Sequence, residues 1–253
     1  MKVIRCLYLG RSHWGEVCGE RVRLLKGPPF ERLEYTGLTA ALEDVSLLCP
    51  VKPGKVLAVA LNDPEHIRET GKTPPQVPSI FMKPPSCLIG PGAPVIYPRD
   101  SQRVDPEAEL AVVIGKTAWH ISPREARAHI FGYTCANDMS DRSLQKISGQ
   151  WCAAKGRDTF GPLGPWIETQ PPQGPLTVQM LVNGQVRQSF TTQGLIFSPE
   201  EIVSFLSQIM TLNPGDVILT GTGGGIAPIG PGDVMTVSIQ GIGALTNPVY
   251  AQR

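Results

Sequence analysis

The chain has 253 residues, long enough to bury a sizeable core, and its charges nearly cancel: Lys plus Arg is 23 against Asp plus Glu 22, for a formal +1. There is no basic run with interleaved aromatics and no stretch of about 18 consecutive apolar residues, which argues against a nucleic-acid groove and a membrane helix. The six cysteines make no Cys-x-x-Cys pair and read as reduced packing thiols, and without a continuous apolar leader the expected location is cytoplasmic.

Glycine (27) and proline (25) are spread along the whole chain, which predicts many tight turns between short strands and a β-rich α+β fold with short helices. The segments KVIRCLYLG, WGEVCG and ERVRLLKG predict a small β meander that ends near CPVKPGK, giving a small N-terminal β domain over 1–52 and a larger domain over 53–253. KVLAVAL then reads as a strand. In LNDPEHIRETG, Asp63 can cap a short helix with Pro64 at its first position and Gly71 near its end. That helix puts His66 and Glu69 three residues apart on one face, the spacing of either an acid-base dyad or an ordinary surface pair.

The stretch VDPEAELAVVIG joins three acids, Asp105, Glu107 and Glu109, to a buried strand closed by Gly115. If the strand starts at residue 105, alternation places all three carboxylates on one side. They then form either a solvated entrance or a cluster needing a cation, a proton or a metal. Further on, Ser122-Pro123-Arg124-Glu125 and Ser198-Pro199-Glu200-Glu201 are helix starts with capping boxes. In GYTCANDMSDRSLQ a helical turn from about Asp138 would align Asp138, Arg142 and Gln145, either as a metal ligand with two substrate contacts or as a structural ion pair with an amide beside it. Lys155 sits in the Pro/Gly-rich WCAAKGRDTFGPLGPW, and Asn183-Gly184 predicts a hairpin turn. The glycines of LTGTGGGIAP would let backbone N–H groups approach an anion, although no Walker ending follows. Pro-Gly-Asp turns precede the strands DVILTG and DVMTVSIQG.

In order, LNDPEHIRETG, FMKPPSCLIGPG, VDPEAELAVVIG, GYTCANDMSDRSLQ, AAKGRDTFGPLGPW and GDVILTGTGGGIAP resemble the fumarylacetoacetate hydrolase family across roughly 55–230. The resemblance implies that family's mixed β-roll/β-sandwich, with Glu107, Glu109 and Asp138 holding one Mg²⁺ or Mn²⁺ and Asp105 left outside. It also implies that Arg142, Gln145, Lys155 and Thr222 contact substrate, that His66 and Glu69 form a water-activating dyad on a lid, and that the chain is a homodimer. Three positions depart from the family's habit: Asp63 stands where an aromatic is common, Ser143 where a second acid is, and Gly223 where proline is.

A hard cation on carboxylate oxygens suits a chelating 2-oxo acid, and with Lys155 it would stabilise an enolate left by breaking the bond beyond the α-carbon. KPPSCLIGPG and RVDPEAELAVVIG look most like the decarboxylase and isomerase branch acting on 5-oxopent-3-ene-1,2,5-tricarboxylate and 2-hydroxyhepta-2,4-diene-1,7-dioate in aromatic breakdown. The alternatives are an acylpyruvate or fumarylacetoacetate-type hydrolase, an oxaloacetate decarboxylase and, in another class, a noncatalytic β-rich protein with a structural divalent ion.

Overall fold

The computed structural model describes residues 1–253. Its main sheet runs in the order Tyr35–Ala41, Arg21–Leu25, Arg11–Cys18, Lys2–Tyr8, Gly161–Glu168, Ile130–Asn137, Ala108–Ile114, Val217–Leu219, Val56–Ala60 and Ser79–Lys83. A second sheet is ordered Gln185–Thr191, Thr177–Val182, Val234–Ile239, Gly243–Ala251 and Val95–Tyr97. Both are mixed: Val217–Leu219 runs parallel to Val56–Ala60, and Gly243–Ala251 parallel to Val95–Tyr97. The chain is therefore the sheet-rich, helix-poor fold its composition predicts.

The N-terminal meander is larger than expected, because Tyr35–Ala41 and Ser46–Leu48 join it. It also continues the main sheet: Lys2 and Val3 pair with Glu168 and Ile167. At the predicted hairpin, Asn183 and Gly184 take φ of 52° and 78°, the left-handed pair of a type I′ turn between Thr177–Val182 and Gln185–Thr191. Pro199–Ile209 is the longest helix. The Ser198 hydroxyl accepts from Glu201 N at 3.3 Å, and the Glu201 carboxylate accepts from Ser198 N at 2.8 Å.

Two local expectations change. The long strand starts at Ala108 rather than at 105, and Val104–Asp105 instead forms a separate two-residue strand with Ser140–Asp141. Pro106 has no N–H to give to a ladder, and the chain breaks pairing there. The helix after GYTCAN starts at Arg142, capped by the Asp141 side chain, which accepts from Leu144 N at 3.0 Å. Asp138 is thus not on that helix and shares no i, i+4, i+7 face with Arg142 and Gln145.

Ala108–Ile114 is fully buried and separates two apolar clusters. Ala108, Leu110, Val112 and Ile114 enter the larger one, while Ala111 and Val113 enter the other with Val56, Ala58 and Val217. By alternation Glu109 belongs to the Ala111 and Val113 face. The strand is hydrogen-bonded on both edges, with Glu109 opposite Ala136 and Ala108 opposite Asn137. One step beyond the paired end, Asp138 N donates to Glu107 O at 2.9 Å, so sheet register brings Asp138 to the two glutamates.

Candidate active site

A cavity of about 740 Å³ opens at this end of the sheet. Its wall includes His66, Glu69, Glu107, Glu109, Asp138, Arg142, Gln145, Lys155 and Thr222, so the residues singled out from sequence converge on one space.

At its base, Glu107, Glu109 and Asp138 are buried and offer ligand oxygens all within 4.8 Å of one another. Lys155 Nζ donates to Glu107 Oε2 and to Asp138 Oδ2, each at 2.6 Å. Lys83, fully buried at 0% exposure, donates to Asp138 Oδ1 at 2.5 Å and to Phe160 O at 3.0 Å. Arg142 donates through Nη2 to Glu107, through Nε to Asp105 at 2.8 Å and through Nη1 to Gln145 Oε1 at 2.8 Å. Glu109 is the exception, because it is bonded only to the Gly221 N–H, at 2.5 Å, and has no ion-pair partner.

The charges follow from this arrangement. Burial pushes the Glu109 carboxyl well above the ordinary range, and the nearby Asp138 and Glu107 charges push it further. Burial would also raise Glu107, but Lys155, Arg142 and His66 outweigh it and hold that carboxyl below the ordinary range. Burial disfavours charge on Lys155, yet Asp138 and Glu107 overcome this and keep the ammonium protonated to higher pH than a free lysine. Glu109 is therefore the one triad carboxyl with no cation beside it, and it favours the proton until a positive charge takes that place. Hard oxygen donors, close spacing and a carboxyl that lacks a cation of its own fit a divalent ion. Each carboxylate oxygen that accepts from lysine retains a further lone pair for such an ion.

Asp105 stays outside the triad. Arg103, two positions earlier and on the same face of the extended chain, and Arg142 each reach it through Nε at 2.8 Å and leave it paired.

Helix Pro64–Thr70 brings His66 and Glu69 to the same cavity. Asp63 caps it by accepting from Glu65 N and His66 N at 2.9 Å each, and this explains an acid where the family often has an aromatic. The aromatic wall is supplied instead by Phe81 and Trp151, whose rings meet edge to face at 5.4 Å between centroids. The expected hydrogen bond between His66 and Glu69 is not formed. Glu69 accepts from Gly225 N at 2.8 and 3.1 Å, a backbone donor in the glycine loop that has no alternative role. His66 Nδ1 is buried without a partner, and burial lowers the imidazole pKa despite the attraction of Glu107.

The other departures have local reasons. Ser143 Oγ accepts from Gln102 N and Arg103 N, at 2.9 and 3.2 Å, tying down the segment that carries Arg103. A Cβ at Gly223 would lie 2.4 Å from the Phe190 ring, so the loop passes there as glycine. Sequence reasoning missed Lys83. Its available signal was a lysine ending the apolar strand Ser79–Lys83 directly before two prolines, two residues from the cavity-lining Phe81.

The family model described as fumarylacetoacetate (FAA) hydrolase C-terminal matches residues 55–250. The chain belongs to the fumarylacetoacetate hydrolase family. A second model, Rv2993c-like N-terminal, matches residues 1–50 of this family member. It is similar to Protein Rv2993c of Mycobacterium tuberculosis, 44% identical over 238 residues, 93% of this chain and 90% of that protein. Oxaloacetate tautomerase FAHD2A, mitochondrial, of Bos taurus is 40% identical over 219 residues, 81% of this chain and 70% of that protein. Among solved structures, 5-carboxymethyl-2-hydroxymuconate delta-isomerase from Mycobacterium smegmatis superposes with a TM-score of 0.94 at 40% identity, covering 100% of both chains. Maleylpyruvate hydrolase from Sphingobium sp. SYK-6, solved with manganese(II) and pyruvate, superposes at 0.83 with 28% identity, again over 100% of both. Isomerases and hydrolases of one fold family thus surround the chain.

Proposed function

We propose that the chain is a divalent-metal-dependent isomerase and decarboxylase of 2-oxo, or 2-hydroxydienoic, di- and tricarboxylic acids. The observation that carries this reading is the buried Lys155 ammonium beside the Glu107, Glu109 and Asp138 triad, with His66 in the wall of the same cavity. The isomerase and tautomerase among its relatives, and the neighbour solved with manganese and pyruvate, support it.

A Mg²⁺ or Mn²⁺ held by Glu107, Glu109 and Asp138 supplies Lewis-acid stabilisation of negative charge on the oxygens of a 2-oxo acid. Arg142, Gln145 and Thr222 bind and orient the acid's carboxylate through N–H and O–H donors. Lys155 stays protonated and donates to the oxygen on which enolate charge develops. His66, kept neutral by burial, takes a proton from the substrate on one side of the tautomeric system or returns one. Glu69 holds the His66 helix against the glycine loop rather than orienting the imidazole directly.

Two expected outcomes test these roles with Mn²⁺ present, on oxaloacetate and hydroxylated dienedioates followed by ultraviolet absorbance. Lys155→Met lowers kcat by about 10²–10³-fold, the usual cost of deleting one donor to a developing oxyanion. Wild-type kcat in that variant removes the lysine from the chemical step. In the wild type, the acid limb of kcat/KM lies below the ordinary histidine value of 6.5, because burial depresses His66 and only the neutral ring is competent. The limb disappears in His66→Asn; a limb that persists there belongs to another group.

The place of His66 in the cavity wall also favours a second reading, C–C hydrolysis, in which the ring deprotonates water in the cavity. Product analysis with acylpyruvates separates the two: cleavage to two acids identifies the hydrolase, and tautomerisation without cleavage the isomerase.

A further inference from the structure

Strand Gln185–Thr191 lies at the edge of the second sheet, and Gln188 is its one buried residue, at 1% exposure. A buried amide on an exposed edge strand needs partners to offset its desolvation. Gln188 has three. Its Oε1 accepts from Ala108 N at 3.0 Å, and its Nε2 donates to Gly223 O and to Thr222 Oγ1, each at 3.0 Å.

The orientation of this amide follows from chemistry. Ala108 N–H can only donate and Gly223 C=O can only accept, so the oxygen of Gln188 must face Ala108 and its nitrogen must face the loop. Thr222 Oγ1 is therefore an acceptor toward Gln188, and the single hydroxyl hydrogen must point elsewhere. No other protein group bonds to that oxygen, and Thr222 lines the cavity.

We infer that Gln188 is a positioning residue that locks the Thr222 hydroxyl as a hydrogen-bond donor into the cavity, where it selects an acceptor-only group such as a substrate carboxylate. An unlocked hydroxyl rotates and serves a donor or an acceptor equally, whereas a locked one favours an anion before it arrives. The inference rests on the proposed reading that the cavity takes a 2-oxo acid. Because Ala108 lies between Glu107 and Glu109, the same amide also braces the ligand strand, so the test has to separate the two roles.

Gln188→Glu keeps an acceptor for Ala108 N–H but replaces the donor, so Thr222 turns its hydrogen toward residue 188. For Mn²⁺-loaded protein titrated with pyruvate, the expected result is binding weakened about 10- to 100-fold, the range for losing a hydrogen bond to a charged group. The Mn²⁺-induced rise in melting temperature stays at the wild-type size. Thr222→Val weakens pyruvate binding similarly, and adding Gln188→Glu to it changes little further, since the lock then has nothing to act on. Gln188→Met, which has no charge, repeats the comparison if the glutamate variant does not fold. Additive losses, or loss of the Mn²⁺ shift with unaltered pyruvate affinity in the shifted fraction, assign Gln188 to bracing alone and overturn the inference. A neutron structure of the wild type decides independently of any ligand: deuterium on Thr222 Oγ1 directed into the cavity upholds the lock, and deuterium directed at Gln188 ends it. If the deuterium points into the cavity and no 2-oxo acid binds, the proposed function fails while the locked donor stands.

Discussion

Glu109→Gln is expected to raise the melting temperature measured in chelator and to abolish the rise that Mn²⁺ gives the wild type. Glutamine keeps an oxygen for the Gly221 N–H but removes a charge that burial, Asp138 and Glu107 all oppose. In the wild type, an ion at 100 times its dissociation constant stabilises the fold by about 2.7 kcal/mol. At about 2–4 °C per kcal/mol for a chain of this size class, that is a shift of roughly 5–11 °C, well within the reach of scanning calorimetry. The sign of the pH dependence follows from the same carboxyl. Its folded pKa lies above its unfolded one, so this group favours folding at low pH and opposes it as pH rises through the elevated value. Chelated wild type therefore loses stability over that interval and Glu109→Gln does not. A glutamine variant that still shows the full Mn²⁺ shift removes Glu109 from the cation site, and one that melts lower in chelator overturns the strain assigned to its buried charge.

The largest stability loss is expected at Lys83, which contacts no substrate space. The cavity ends at Asp138, and Lys83 lies behind it with its ammonium between Asp138 Oδ1 and the Phe160 carbonyl. Lys83→Met preserves length and apolar volume but leaves a buried carboxylate short of a partner. We expect a cost of about 3 kcal/mol, the lower end for a broken buried pair, because Lys155 still faces the other oxygen. The melting temperature then falls by roughly 6–12 °C. Added Mn²⁺ recovers part of the deficit by neutralising Asp138 from the cavity side, so the gap between variant and wild type is wider in chelator. Equal melting temperatures in chelator contradict the buried pairing.

Much of this arrangement is legible in the amino-acid sequence, for reasons that are local. Asn183-Gly184 needs only a backbone preference, and Ser198 with Glu201 needs only one turn of helix. VDPEAELAVVIG points to its own chemistry because acids set directly against a wholly apolar run conflict with burial unless something compensates them. What stays hidden depends on partners distant in the chain. Lys83 meets Asp138 across 55 positions, and Gln188 meets Ala108 across 80. Nothing near Gln188 distinguishes it from an ordinary glutamine on a strand, and the setting of Lys83, between an apolar strand and two prolines, does not name its partner. Helical spacing also misplaced Asp138, because register between Ala108–Ile114 and Ile130–Asn137, not helical periodicity, delivers it to the glutamates. His66 and Glu69 have dyad spacing, but the Gly225 N–H, from a loop 156 residues beyond Glu69, takes the carboxylate.

The two sides of the cavity rest on very different supports. Glu109 belongs to a strand hydrogen-bonded along both edges and enclosed by two cores, the kind of segment whose amide protons exchange with solvent only when the whole chain opens. His66 rides a seven-residue helix with Ile67 as its single buried side chain, held by the Asp63 cap and the Glu69 contact. Such a unit can open by itself at a small fraction of the global free energy. On the proposed function, mild denaturant would stop proton transfer at His66 before the triad released its ion, so a folded, cation-loaded but silent population would precede unfolding.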